Sequence, residues 1–389
     1  MEMGQATKRV TGIEFRVVQA LMVGNLWWIG VKLYKNPIKA FRIVKRLLTN
    51  YKQMMGGKTL VRAFKINGKY SWDLFNPSWP SKGFNSFFER HLIEIEPLSQ
   101  DQRALRRLIV AITKRCPLSC AHCSEAGTLY QKDILSLEEY SQQIDAFVTQ
   151  GVSQLIFSGG EPLSRFEDLI SLIFRYKNTC DQWVYTSGFG LTQERAQQLK
   201  KAGLNGIAIS LDHFDSTAHN AFRGNQKSHE WVEQSVEFCL KEGILVVLNV
   251  CPTRELIDQQ GVEKIVEWAK EKGVPMVNIL EPRAVGNYQD QDVSLFPEHM
   301  EYLWRLSERY NFDRKWLHYP TVLFPAGYRK HMSCGGGKSY LFFDFDGRLY
   351  PCPFCKSPIP KDTQQAPLCE AVLHTDRSKK KWSLHNFEP

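Results

Sequence analysis

The sequence predicts an α/β protein: a parallel sheet, open or closed into a partial (β/α)6 barrel, with helices outside it, an extension before it and a cysteine-rich tail behind it. Three observations lead there. Apolar, strand-like runs at 108–113, 154–158, 183–186, 206–211, 244–250 and 276–280 alternate with helix-like stretches near 137–149, 166–176, 192–202, 230–242 and 262–272, and such alternation builds a parallel sheet. The 389 residues are 43% hydrophobic and 12% aromatic, enough for a large core and too apolar for a disordered or fibrous chain. The cysteines also gather in two groups, one directly after the first core strand and one in the tail. In parallel α/β folds the chemistry lies beyond the C-terminal strand ends, which is where the first group falls.

Residues 1–104 read as a basic extension. Residues 1–115 hold 21 Lys and Arg against seven Asp and Glu, so the net charge of +9 belongs to this end of the chain. A helical stretch runs through 17–34. Its apolar part, 20–34, is interrupted by Asn25 and Lys32 and is short of the roughly twenty residues that cross a bilayer. A second helix is predicted to start with Asn36 as cap and Pro37 in the first helical position and to end near Tyr51. Ile38, Phe41, Val44 and Leu48 recur on one of its faces, with Lys35, Lys39, Arg42 and Arg46 on another. Residues 60–74 alternate around Asn67-Gly68, a strong hairpin signal. The core spans 105–310 and the tail 311–389.

The ten cysteines, with no secretory signal visible, point to a reducing cytoplasmic setting in which clustered thiols mean metal or redox chemistry. Cys180, Cys239 and Cys251 stand alone and are expected to be buried structural thiols. The loop after the first strand carries Cys116, Cys120 and Cys123. Three thiolates on a cluster that normally takes four would leave one metal position open to a small molecule. The alternative is a zinc site completed by His122, which is adjacent to Cys123 and poorly placed to complete a tetrahedron with it.

The C-x3-C-x2-C loop resembles the signature of the radical S-adenosylmethionine (AdoMet) superfamily, and the resemblance extends over 105–281. Gly159, Gly160 and Glu161, followed by Pro162, resemble the family's GGEP loop, whose backbone and Glu receive the AdoMet amino group. Ser210 closes the fourth strand, and Arg223 precedes Gly224. In the family branch with auxiliary clusters, similar residues contact the AdoMet carboxylate, while helix capping and a surface Arg are the alternatives. Thr186 and Ser187 resemble the ribose-contacting loop, and His122 either packs near the adenine or serves the structure. The resemblance implies a [4Fe–4S] cluster on the three-cysteine loop, AdoMet on its open iron, and an electron donor such as flavodoxin or ferredoxin.

In the tail, the Asp346-Gly347 turn is predicted to fold Cys334 towards Cys352 and Cys355, implying a second metal site. The spacing resembles the start of a SPASM or twitch domain holding an auxiliary [4Fe–4S] cluster. With four tail cysteines, the shorter twitch form is implied, and Cys369 is either the fourth ligand or absent from the site; structural zinc is the alternative. The expected architecture is thus a partial (β/α)6 radical SAM barrel with a small Cys-rich, twitch/SPASM-like C-terminal domain and a helical plus hairpin N-terminal extension.

Three function classes follow. The first is radical modification of a peptide, for which the 60–74 hairpin would offer an edge strand. The second is modification of a lipid or other amphiphilic small molecule at the membrane surface. The basic helix and Trp27, Trp28, Trp72, Phe75, Trp79, Phe84, Phe87 and Phe88 favour it; the alternative for both is a cover packed on the barrel. The third, a non-catalytic redox protein, is opposed by the AdoMet-site residues. Nucleic acid rests on charge alone and is not an expected partner.

Overall fold

The computed structural model describes residues 7–99, 104–329 and 334–355; Cys369 lies outside them. The chain opens with strand β1 (Lys8–Val10), helix α1 (Gly12–Tyr34) and helix α2 (Pro37–Met54), followed by β2 (Ala63–Ile66), β3 (Lys69–Ser71) and α3 (Lys82–Ile95). The core alternates: β4 (Arg107–Ala111), α4 (Leu137–Thr149), β5 (Gln154–Ser158), α5 (Phe166–Tyr176), β6 (Asp181–Thr186), α6 (Gln193–Ala202) and β7 (Gly206–Ser210). It continues with α7 (Ser216–Arg223), α8 (Ser228–Lys241), β8 (Leu245–Val250), α9 (Arg254–Asp258), α10 (Gly261–Glu271), β9 (Met276–Ile279) and α11 (Pro297–Phe312). Strands β10 (Thr321–Leu323), β11 (Tyr340–Phe343) and β12 (Leu349–Tyr350) follow.

All six predicted core strands form, in parallel neighbour order β4 to β9. The sheet is longer than six strands. Strand β10 adds in parallel to β9, and β11 adds in parallel to β4, with β12 antiparallel beyond it, giving nine strands. The tail hairpin is therefore stitched along the core's first strand.

Alternating strand residues divide the core in two. Leu155, Phe157, Val184, Ile207, Ile209, Val246 and Leu248 pack outward against the helices, while Ile156, Trp183, Ala208, Val247 and Met276 face inward and meet Phe64, Ile66 and Leu74 of the extension. The extension is thus a stopper at the N-terminal mouth of the barrel. Asn67 reaches the Gly243 carbonyl at 2.9 Å, just before β8. Buried Arg62 donates to the Trp316 and Tyr319 carbonyls at 2.7 and 2.6 Å, just before β10.

The Asn67-Gly68 hairpin forms with both residues at positive φ, +48° and +74°, as a two-residue turn of this kind requires. It does not offer the open edge a peptide would need. Strand β2 has β1 on one side and β3 on the other, and β3 is bonded on its outer side at Tyr70 to Trp79 (2.6 and 2.9 Å). The α2 start is as predicted, Asn36 accepting from the Lys39 amide at 2.9 Å ahead of Pro37, but its packing face is not. Ala40, Ile43, Val44 and Leu47 are buried, whereas Ile38 and Phe41 are exposed, because α2 is oriented by α1 and α3. Of the aromatic residues read as amphiphile-binding, Phe84, Phe87 and Phe88 are core of this three-helix cluster; Trp27 and Trp28 remain exposed. Helix α1 has 23 residues and is, by length and composition, apolar enough to cross a membrane, which the shorter run 20–34 did not indicate. Cys180, Cys239 and Cys251 are buried, as expected.

Candidate active site

The 116–123 loop leaves β4 and is gripped from four directions. Lys114, two residues before the first cysteine, is fully buried and ion-paired with Glu125 on the same loop and, at 2.9 Å, with Asp344 of the tail hairpin. The carbonyls of Thr113 and Arg115 accept from the amides of Gly160 and Glu161, both at 2.8 Å. A Cβ on Gly159 (φ +130°) would lie 2.4 Å from the Thr113 oxygen, and one on Gly160 would lie 2.5 Å from that of Arg115, so this approach needs both glycines. On the opposite side Ser119 and Ala121 donate to the carbonyls of Arg223 and Phe222 at 3.2 and 2.9 Å. Asn287 holds the last turn, donating from its amide to the Cys123 carbonyl (3.0 Å) and from Nδ2 to that of Cys120 (2.8 Å).

Cys120 is buried, with Cys116 and Cys123 half-buried beside it. Burial pushes the Cys116 thiol up to about 12 and raises those of Cys120 and Cys123. Arg223, whose Nη1 lies 3.6 Å from Cys120 Sγ, pulls that thiol back. Such thiols stay protonated until a metal takes them. Among the described residues no three Cys, His, Asp or Glu side chains converge on a point that a single ion would occupy.

The structure places the other candidates around this loop. Glu161 is buried and its carboxylate is filled: Thr186 Oγ1 and the Leu163 amide donate to one oxygen at 2.6 and 3.1 Å, and the Ser187 amide and hydroxyl donate to the other at 2.8 and 2.6 Å. Two carboxylate oxygens offer about four acceptor sites, so here Glu161 clamps the β5 loop to the β6 loop. The hydroxyls of Thr186 and Ser187 are engaged in the same clamp. Ser210 ends β7 half-buried. Arg223 is buried and ion-paired with Asp212, and its Nε has no partner among the described residues. Burial alone would raise the Asp212 carboxyl, but Arg223 and nearby His122 and His219 outweigh it and hold it below the carboxylate range. His122 stacks on Phe222 with centroids 4.9 Å apart, and burial lowers it to about 4, leaving a neutral ring with an unpartnered Nδ1. The stacking supports the structural role for His122. The unpartnered Arg223 donor fits a carboxylate, so the residues present suit AdoMet.

Sequence reasoning missed Lys114, Asp212, Asp344 and Asn287. Gly286 carried the one usable signal: a glycine at φ +62° whose Cβ would stand 2.0 Å from the Cys123 carbonyl marks the close approach that sets Asn287.

In the tail, Cys352 Sγ lies 3.0 Å from Cys355 Sγ, Cys355 is itself disulfide-bonded, and the Gly336 amide donates to Cys334 Sγ at 3.5 Å. Burial first, then the neighbouring Cys334, pushes Cys352 up to about 11. All three cysteines line one cavity of about 940 Å³ that also reaches Ser124, Glu125, Ser158 and Gly159 beside the first loop. Arg107, Tyr185, Arg283 and Tyr328 add polar groups to an otherwise largely apolar wall.

A parallel sheet with a three-thiol loop beyond the C-terminal end of β4 and a buried Arg beside it is compatible with an iron–sulfur cluster and a carboxylate-bearing ligand. Residues 110–269 match the family model described as the radical SAM superfamily. Among solved structures, SuiB of Streptococcus suis bound to its precursor peptide SuiA matches with TM-score 0.55 at 12% identity, over 80% of this chain and 73% of that one. The structure anSMEcpe with bound AdoMet and Kp18Cys peptide matches with TM-score 0.51 at 19% identity, over 68% of this chain and 80% of that one. The chain carries a radical SAM domain and is an enzyme of that class, using a [4Fe–4S] cluster and AdoMet.

Proposed function

We propose that this enzyme abstracts a hydrogen atom from a peptide held between two iron–sulfur clusters, one on Cys116, Cys120 and Cys123 and an auxiliary one on Cys334, Cys352 and, once its disulfide is reduced, Cys355. The carrying observation is a cavity of about 940 Å³ that is lined by the three tail cysteines and reaches Ser124, Glu125 and Gly159 beside the first cysteine loop. Cavities of this size take a drug-sized ligand or several side chains of a peptide. The precursor-peptide and Kp18Cys complexes of the two similar folds support the peptide class. When bound, the first cluster and AdoMet supply reductive cleavage to methionine and a 5′-deoxyadenosyl radical, with the electron coming from a donor of flavodoxin or ferredoxin type.

The protein's own residues do the positioning. The Gly159-Gly160 backbone, Ser210 and Arg223 hold the methionine end, Arg223 offering its free Nε to the carboxylate while Asp212 fixes the guanidinium plane. Glu161 acts at one remove by fixing the loop that presents the glycines. Tethering the tail hairpin to β4 keeps the second thiol group at one wall of the cavity, against substrate, and the stopper closes the far end to water.

The test is label transfer. Reduced, reconstituted enzyme is given AdoMet and either the peptide or the lipid fraction of cells grown in deuterated medium. Deuterium is expected in 5′-deoxyadenosine with the peptide fraction; deuterium from the lipid fraction alone would replace this reading with the amphiphile one.

A further inference from the structure

Helix α1 is apolar on both sides. Its inner face, Phe15, Val18, Leu26 and Ile29, is buried. Its outer face should be polar on a helix that covers a soluble domain, yet Ile13 (81% exposed), Val17, Leu21 (58%) and Trp28 stand in solvent. At 100° per residue these four fall within one stripe, with Ala20 and Gly24 filling it, and no charged residue occurs between Val17 and Val31. Exposed stripes of this length mark a surface made to be covered.

The surroundings identify the cover by charge. From residue 15 to residue 72 there is no Asp or Glu, against twelve Lys and Arg. Lys32, Lys35, Arg42, Lys45 and Arg46 are exposed, and none is ion-paired among the described residues. They sit around the α1–α2 turn, where Trp27 is tied by its indole to the Pro37 carbonyl at 3.2 Å, Lys32 lies over the Trp28 ring at 5.5 Å, and Ile38 and Phe41 protrude. Exposed Trp beside Lys and Arg on an apolar face is the chemistry of the lipid headgroup boundary.

We propose that α1 and the α1–α2 turn dock this enzyme on an anionic lipid bilayer, the α1 stripe lying in the plane of the interface. Length alone would let α1 span. The fold does not, because β1 before it is paired to β2 on the barrel stopper, α2 returns from its end, and its inner face is packed on α3. Both ends thus remain on one body, on one side of the bilayer.

Flotation of the full chain with phosphatidylcholine vesicles, with and without about 30% phosphatidylglycerol, tests this. The wild type is expected to float with the anionic vesicles only. Leu21→Gln/Trp28→Gln removes the apolar contact and Lys35→Glu/Arg42→Glu/Lys45→Glu/Arg46→Glu the charge; each is expected to lower partitioning on the order of a hundredfold. Circular dichroism and AdoMet cleavage are expected to stay at wild-type level, since none of these residues lines the site. If the apolar variant fails to fold, the charge variant, on exposed positions, decides alone. Absence of wild-type flotation, equal flotation with uncharged vesicles, or loss of a dimer on gel filtration in the apolar variant without any vesicle binding would each overturn the proposal.

Discussion

The tail cysteines line the large cavity and the first cysteine loop borders it through the neighbouring Ser124 and Glu125, yet the two groups are held very differently. The 116–123 loop is fixed by hydrogen bonds to the segment after β5, to the end of α7 and to the segment after β9, and by the buried Lys114 triad. The tail group rests on a hairpin paired to β4 and on local contacts such as Cys352–Cys355. The lesson is one of division of labour: the loop proposed to orient AdoMet within about 1 Å is held directly by several core segments, while the second group is positioned through its hairpin, by the β4 pairing, the Tyr140–Phe345 bond, burial of Leu341, Phe343 and Leu349, and the Lys114 triad.

The largest expected effect separates the two groups outright. Changing Cys116, Cys120 and Cys123 to Ala is expected to abolish AdoMet cleavage, whereas changing Cys334, Cys352 and Cys355 to Ala leaves uncoupled cleavage. Each triple variant is expected to bind about four irons where the wild type binds about eight, read by iron and sulfide analysis after anaerobic reconstitution. Stoichiometric zinc on the tail thiols would remove the second cluster from the comparison.

Next comes the link itself. Lys114→Met removes the cation between the buried Glu125 and Asp344 carboxylates, and a loss of about 3–5 kcal/mol is expected in denaturant unfolding. A loss below about 1 kcal/mol, the range of an exposed pair, would show that the triad does not join the two regions.

Glu161→Gln sharpens the reading of the preorganised half. One carboxylate oxygen becomes an amide NH2 group facing the Ser187 or Thr186 donors, and about 1–3 kcal/mol of stability is expected to go. AdoMet affinity by equilibrium dialysis is expected to fall alongside it. Weakened AdoMet binding at undiminished stability would mean that the carboxylate holds the ligand directly. Asn287→Ala is expected to be the mildest, about 0.5–1.5 kcal/mol for its bond to the Cys120 carbonyl, seen as faster iron loss to a chelator.

What could be read from the sequence follows the range of the forces involved. Strands β4 to β9, the Asn36-Pro37 helix start and the Asn67-Gly68 turn were legible because apolar runs, caps and positive-φ turns are local. The three-residue β1, the placement of β10 and β11 on the sheet edges, and the packing face of α2 were not, because each depends on a partner distant in sequence. The same holds in the site. Cysteine spacing exposed the loop, but Lys114 with Asp344 and Arg223 with Asp212 are pairs that only the fold assembles. The Glu161 motif was found for its type, whereas its clamp to Thr186 and Ser187 appears only when β5 and β6 lie side by side.

The most direct test of the three-thiol loop as an AdoMet site uses the Cys334/Cys352/Cys355→Ala variant, in which the first group stands alone. Electron paramagnetic resonance of the reduced protein is recorded with and without AdoMet, and the products are then analysed. The expected result is a cluster signal that changes on adding AdoMet, followed by methionine and 5′-deoxyadenosine. An intact cluster whose signal ignores AdoMet, or S-adenosylhomocysteine in place of 5′-deoxyadenosine, would contradict it.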